Sequence, residues 1–418
     1  MLDPLRQHRF NNPFKIEYPS FPAVQNVARS VVVHQEMGKH DIVEIYYSRF
    51  SSVFFKGIKT GVPVSISWKN DKAAGKFVGY TVDVSYTTAQ QLNRDVKVTC
   101  IGASYPLKER ASKIWVNKTA SEIAKEIATK FKLKPFVTPS PIRFSQQSLA
   151  GHSYWEKLNE LAKRIGYGVQ VLGTELHFHP IDTMINQFMT TIPVMSFKDP
   201  LQGPESNINV PTLSFFEPTI GDHIESAEFS RSINSVGGID PITGKAFTFK
   251  SSSNKVGKKL RNGTKDPLFS TVETNTVVTN TAMAKSLSES RSQLGRFTIE
   301  SYGVGQGDPR IAPWRTVEVQ GTGTTTDGYW IIKKAEHVLH GDGRYVVEFT
   351  CLSDGVGLNT SSATRPSSAG AVPTRDIVNE MSTNNKRKPT STTLSSPTTM
   401  VNQSKAGYKL TPQRWGGK

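Results

Sequence analysis

Twice in this chain a short alternating apolar run, a turn glycine and a longer strand-like run ending at a cysteine follow one another at nearly the same spacing. Val62-Pro-Val64-Ser-Ile66 precedes Gly75 and the run Phe77–Tyr86, and Val96-Lys-Val-Thr-Cys100 follows. Thr316-Val317-Glu-Val319 precedes Gly328 and the run Tyr329–Leu339, and Val347-Glu-Phe-Thr-Cys351 follows. Val64 to Gly75 is 11 residues, as is Val317 to Gly328; glycine to cysteine is 25 residues in the first case and 23 in the second. Period-2 alternation marks a strand with one buried face, and a turn glycine between two such runs marks a hairpin. Two readings compete. Hairpins share these signals generically, or one β-domain is present in two copies. On either reading Cys100 and Cys351, the only cysteines, are buried thiols in strands.

The stretch between the two copies has a different period. Thr119-Ala-Ser-Glu122 is a capping box, followed by Ile123, Ala124, Ile127, Ala128 and Phe131 at helical spacing. Ser153-Tyr-Trp-Glu156 is a second, opening a helix through Leu158, Leu161 and Ile165 that Gly166 ends. A hairpin over 167–179 follows, so residues 106–185 read as a small α/β unit. Strand signals at Val31–His34 and Ile42–Tyr47 complete the first β region. Residues 1–28 read as loop. After 186 the chain reads as strands and polar loops, with a basic exposed loop over 244–267 and one helix over 280–294.

Residues 355–418 have no sustained apolar periodicity. Those 64 residues carry 19 Ser or Thr, and nine Lys or Arg against Asp376 and Glu380, a net +7. Such a segment cannot bury enough surface to offset its chain entropy and reads as an extended basic arm lying along a partner. It accounts for nearly half of the formal net charge of +16 over 418 residues. The candidate partner-binding residues are the run Lys386, Arg387 and Lys388, and the anchors Tyr408, Arg414 and Trp415, since Arg and aromatic side chains dominate interfaces.

The residues argue against most chemistry. No apolar run approaches the ~18 residues of a membrane helix, and the N-terminus lacks a signal-peptide layout. Two cysteines make neither a disulfide framework nor a four-Cys zinc site and suit a reducing compartment. Gly303-Val-Gly305-Gln-Gly307 lacks the Lys-Ser/Thr of a phosphate loop and reads as a Gly-rich loop. His177 and His179 share a strand face without further ligands, which reads as a solvated face. His337 and His340 read as surface residues near a turn. A glycosidase needs two carboxylates in a cleft, whereas Glu156 is a capping residue and Glu160 a helix-surface charge, leaving Asp182 alone. Trp155 reads as helix packing. No catalytic residue, cofactor or metal ligand is therefore assigned. The cluster Lys255, Lys258, Lys259 and Arg261, with Lys386–Lys388, could contact phosphates, but no nucleic-acid-binding motif frames it.

Three segments carry a family likeness: Gly61-Val-Pro-Val-Ser-Ile66 with Phe77-Val-Gly-Tyr-Thr-Val-Asp-Val84; Ser153-Tyr-Trp-Glu-Lys-Leu-Asn-Glu-Leu-Ala-Lys-Arg-Ile-Gly-Tyr167 with Glu175-Leu-His-Phe178; and Asp327-Gly-Tyr-Trp-Ile-Ile-Lys-Lys-Ala-Glu-His-Val-Leu-His340 with Gly343-Arg-Tyr-Val-Val-Glu-Phe-Thr350. Over residues 40–355 the chain resembles the baseplate hub proteins of contractile and other long-tailed phages. These include the late control protein D family and the hub part of the valine-glycine-repeat spike proteins of type VI secretion. The motifs are turn and core residues and carry no chemistry.

The resemblance implies a mainly β (α+β) chain with two tube-type β-barrels related by duplication. Its expected layout is a first barrel with N-terminal extension over 1–105, the α/β insert over 106–185, a second barrel over 186–354 and the arm over 355–418. It also implies a homotrimer whose six barrels form a pseudo-six-fold ring between a six-fold tail tube and a three-fold spike. The implied partners are the tail tube protein and the central spike protein, with tape-measure and wedge proteins beside them. DNA would pass the lumen without specific binding. The implied location is the virion tail baseplate, assembled in the host cytoplasm. The arm departs from the family pattern, in which folded modules often occupy that place. Two other readings stand beside this one: a hub that cuts peptidoglycan through residues 106–185, and a basic nucleic-acid-binding protein.

Overall fold

The computed structural model describes residues 13–19, 28–47, 58–70, 72–88, 94–140, 142–185, 192–197, 212–220, 232–239, 244–250, 269–273, 278, 281–294, 297, 299–322 and 327–353. The first six strands are β1 (Phe14–Glu17), β2 (Ser30–Glu36), β3 (Ile42–Tyr47), β4 (Pro63–Lys69), β5 (Ala74–Thr88) and β6 (Arg94–Gly102). They lie side by side in the order β1-β4-β5-β6-β3-β2. All six contribute to one core, which includes Ile16, Val31, Val33, Val43, Ile66 and Val98. Strict alternation explains it: β2 and β3 bury every second residue, so a β-branched face turns inward. β1 is a strand within a stretch that reads as loop from sequence; its four residues pair with β4, too short a run to show a period.

The second set is β12 (Val194–Phe197), β13 (Thr212–Ile220), β17 (Ile299–Gln306), β18 (Thr316–Gln320), β19 (Gly328–His340) and β20 (Tyr345–Ser353). Its order is β12-β18-β19-β20-β17-β13, and β13 returns to β12, so this barrel closes on itself. Strand for strand this is the order of the first set, in the same chain sequence. One difference is that β1 meets β4 antiparallel whereas β12 meets β18 parallel.

Between the sets lie β7 (Ile114–Thr119), α1 (Ala120–Lys130), β8 (Lys134–Val137), β9 (Arg143–Ser148), α2 (Tyr154–Ile165), β10 (Tyr167–Leu172), β11 (Glu175–Pro180) and the short α3 (Ile181–Met184). Both capping boxes form, and Gly166 ends α2 in the left-handed region at φ 72°. A second excursion leaves the later barrel between β13 and β17. It comprises β14 (Ser232–Ile239), β15 (Ala246–Lys250), β16 (Phe269–Glu273) and α4 (Thr281–Leu294). Its Val236, Met283, Ala284 and Leu287 join Ile123, Leu158 and Leu161 in one core. The two excursions thus fold together, which the sequence did not announce because they are separated by β12 and β13. β15 also places a strand within the stretch read as an exposed loop over 244–267.

Candidate assembly surface

The duplication is visible at the level of single pairs. Cys100 lies opposite Thr81, and the β5 ladder slips between Thr81 and Asp83. Cys351 lies opposite Ile332, and the β19 ladder slips between Ile332 and Lys334. From Tyr80↔Ile101 to Thr88↔Arg94, every pair recurs in Ile331↔Leu352 to Leu339↔Tyr345 at the constant offset 351 − 100 = 251. Bulges are designed features that re-aim a strand, so a shared bulge next to a shared cysteine argues for one ancestral hairpin. Val64 and Val317 are also equivalent, facing Gly79 and Trp330. The turn glycines are not: at that offset Gly328 matches Phe77, because the first hairpin is longer at its turn.

The same chain of pairs extends to the next two strands. Val43 lies opposite Cys100 as Ser301 lies opposite Cys351. Val33 lies opposite Val43 as Pro218 lies opposite Ser301. β2 therefore corresponds to β13, with Ser30, Val31 and Val33 in the places of Phe215, Phe216 and Pro218.

One ladder joins the two sets. β2 pairs antiparallel with the second half of β19, from Lys334↔Glu36 to His340↔Ser30. Val31, Val33, Ala335 and Leu339 are buried there, and Leu339 enters the first core. Full burial of a Val or Leu side chain stabilises by roughly 1.5–3 kcal/mol. His34 Nδ1 lies 3.0 Å from Glu336 Oε2 across the joint. His337 is buried against Trp68, with ring centroids 5.6 Å apart, and its Nδ1 is 2.8 Å from the Tyr345 hydroxyl. Burial lowers its pKa to about 3, so the imidazole is neutral.

The sequence-derived candidates fall unevenly. Lys386, Arg387, Lys388, Tyr408, Arg414, Trp415 and the cluster Lys255–Arg261 lie outside the described residues. Cys100 and Cys351 are buried thiols, as expected. Glu156 accepts from the Ser153 backbone N–H, and Glu160 pairs with Lys157 and Arg164. Trp155 packs on His40 at 4.7 Å. His177 and His179 are not on a solvated face: both are buried, His177 stacked on Phe136 at 5.0 Å and His179 Nδ1 2.8 Å from Thr138 Oγ1. The parallel neighbour β8 covers that side of β11, and a chain-distant strand leaves no local signal. His337 is likewise interior, covered by β2. Gly303 and Gly305 lie in β17 rather than a loop. Their missing side chains make room for the Phe349 ring and Met195, whose atoms would lie 2.5 and 2.4 Å from a Cβ at the two glycines. No group of three metal-ligating side chains occurs among the described residues.

Two six-strand sets of one strand order, the second a closed barrel, joined edge to edge with an α/β insert between them, form a fold shared with phage tail and type VI secretion proteins. A tail protein from Neisseria meningitidis MC58 superposes with a TM-score of 0.58 at 10% identity, over 83% of this chain and 98% of that one. The 43 kDa tail protein of prophage MuSo2 from Shewanella oneidensis does so at 0.56 and 12% identity, over 82% and 99%. The E. coli c3393 protein, a type VI secretion component with structural similarity to the T4 tail proteins gp27 and gp5, gives 0.50 at 9% identity, over 84% and 80%. No protein-family model and no curated protein matches the sequence.

Proposed function

We propose that this chain is a structural hub of a phage-type tail baseplate and acts without turnover. The observation that carries the reading is the repeated strand order, with a hairpin register repeated at a constant offset. A closed ring needs one interface used repeatedly. Three chains with two equivalent barrels each make a pseudo-six-fold ring that also has true three-fold symmetry. Such a trimer adapts a six-fold tail tube to a three-fold central spike, leaving a lumen for DNA. The tape-measure and wedge proteins are its further neighbours. Its place is the virion baseplate, after assembly in the host cytoplasm. The likeness to tail proteins over almost their whole length supports this reading.

Light scattering on the purified chain tests it directly: a trimer is expected, and a monomer at micromolar concentration, alone and with tube or spike protein, overturns it. A projection image of the assembly should show three-fold or six-fold symmetry. In this reading the basic arm over 355–418 clamps a neighbouring protein through Lys386–Lys388, Tyr408, Arg414 and Trp415. Deleting it should spare the ring and impair attachment to tube or spike. A zymogram on cell-wall material should stay uncleared, and DNA retention in a gel shift should be weak and salt-sensitive.

A further inference from the structure

A cavity of about 390 Å³ lies where the first strand set, the insert and the closed barrel meet. The turn between β2 and β3 gives it Met37, α2 gives Ala162, β10 gives Val169, α3 gives Ile181, and the closed barrel gives Trp314 and Leu352. All of these but Met37 are buried. Protein interiors normally close over such a space, since voids larger than a water molecule are few. Here backbone bonds pin the walls. Met37 N–H donates to the Lys333 carbonyl at 2.9 Å and Gly38 N–H to Gln170 Oε1 at 3.2 Å, so the turn is tied to both neighbours. Ile181 N–H donates to the Gly166 carbonyl at 3.1 Å, and Trp314 N–H to the Ile332 carbonyl at 3.0 Å. A preformed, mostly apolar cavity within the range of roughly 300–1,000 Å³ is the form that small-molecule sites take.

One residue in the wall is held there against two costs. Trp314 sits at φ 69°, the left-handed region that a bulky side chain rarely adopts. Its indole N–H is buried without an acceptor among the described residues, although buried polar groups are nearly always paired. Gly168 makes way for it, since a Cβ there would lie 2.9 Å from the Trp314 ring. Backbone strain persists where the surroundings over-determine it, and it gathers at ligand sites. The charges lie at the mouth. Lys39, Lys163 and Lys333 line the cavity against one carboxylate, Glu36. Lys39 and Lys163 are exposed. Glu36 pairs with Lys39 at 2.8 Å, and Lys333 reaches Glu300 at 2.9 Å. An apolar interior beneath an excess of ammonium groups complements a molecule with an apolar body and one negative end.

We propose that this cavity binds a fatty carboxylate, its chain against Trp314, Val169 and Leu352 and its carboxylate among Lys39, Lys163 and Lys333. The inference stands on the cavity itself and holds whether or not the chain forms a ring. The walls come from three parts of the fold, so a bound chain buries apolar surface on all three at once. A ligand that binds only when the three are together stabilises their arrangement by mass action. Occupancy therefore ties the insert to both strand sets.

Calorimetric titration of laurate into delipidated protein, below the micelle concentration, tests it. One laurate per chain is expected, with a rise in Tm at saturation. Dodecylamine carries the same chain with the opposite charge at neutral pH and should bind about tenfold more weakly or worse. Ala162→Leu and Ile185→Phe fill the cavity from different walls, and each should weaken laurate about tenfold or more. A thermal melt of each variant checks that it is folded, and either one suffices for the reading. Lys163→Gln changes an exposed position and should weaken laurate about two- to fivefold while narrowing the gap to dodecylamine. The absence of saturable laurate binding overturns the proposal. So does binding that survives a folded filling variant, because the laurate then sits elsewhere. Equal binding of dodecylamine also overturns it, by removing the lysines as the selecting feature.

Discussion

Asp41 Oδ1 accepts a hydrogen bond from Gln170 Nε2 at 3.3 Å, so a buried carboxyl beside the first barrel is held by a strand of the insert. Gln35 Nε2 donates to Oδ2 at 3.0 Å. Burial pushes the Asp41 pKa up to about 7, and the two amide hydrogen bonds only partly oppose it. A folded-state value raised above the unfolded one means that stability is full below the unfolded pKa and lost as pH climbs toward the folded one. Thermal melts should therefore show Asp41 costing stability from pH ~4 up to pH ~7. Asp41→Asn should raise Tm above pH ~7 and change it little near pH ~4. Equal effects at both ends would remove the carboxyl as the cause.

The buried and half-buried histidines act with the opposite sign. Burial lowers His40, His177 and His179 to about 4 and His337 to about 3. A depressed histidine contributes stability above its unfolded pKa and loses it as pH falls, because only the unfolded chain takes up the proton. Tm should fall as pH drops below ~6.5. Together with Asp41 this sets a stability maximum near pH 6–7, roughly where the two slopes cross. His337→Leu should flatten the acid limb, read as a smaller Tm change between pH ~6.5 and ~4.5.

Cys100 and Cys351 should be silent to a soluble thiol reagent in the native protein and react fully in denaturant. Both are buried, and burial pushes the Cys100 thiol up to about 12, which leaves almost no thiolate at neutral pH. Rapid labelling of either under native conditions would show that its strand opens readily.

How much of this was legible in the sequence depends on distance along the chain. The caps of α1 and α2 are local, and Thr119, Glu122, Ser153, Glu156 and Gly166 did what their spacing implied. The repeat was legible through Val64/Val317 and Cys100/Cys351, because alternation and identity survive at fixed offsets. The edge pairing was not. Val31 and Phe216 read alike as apolar strand residues, and only the ladder partners show that one edge is covered and the other lacks a described neighbour. His177 and His337 misled for the same reason, since β8 and β2 cover them from far away in sequence. The arm, with its proposed anchors, lies outside the described residues.

The two ends of α2 offer a stability test confined to the insert. Ser153 Oγ accepts from the Glu156 N–H at 3.2 Å, and Ser153→Ala should cost ~1 kcal/mol. Gly166 sits at φ 72°, where a Cβ is strained, and Gly166→Ala should cost about 1–2 kcal/mol. The sites lie at opposite ends of the helix, so the double variant should sum the two within a few tenths in denaturant melts.

The last test bears on the closed barrel. Gly303 lies opposite Phe349, and a Cβ there would come 2.5 Å from the Phe349 ring. Phe349 is buried in the core that includes Val317, Trp330 and Cys351, so the ring has little room to retreat. Gly303→Ala should therefore destabilise by ~1–3 kcal/mol through overpacking. Phe349→Leu alone should also destabilise, by leaving space where the ring stood. In the double variant the new methyl occupies part of that space, so the two losses should add to more than the double variant shows. A double-mutant cycle in denaturant measures the difference, and a coupling near zero would mean that the ring does not dictate glycine at this position.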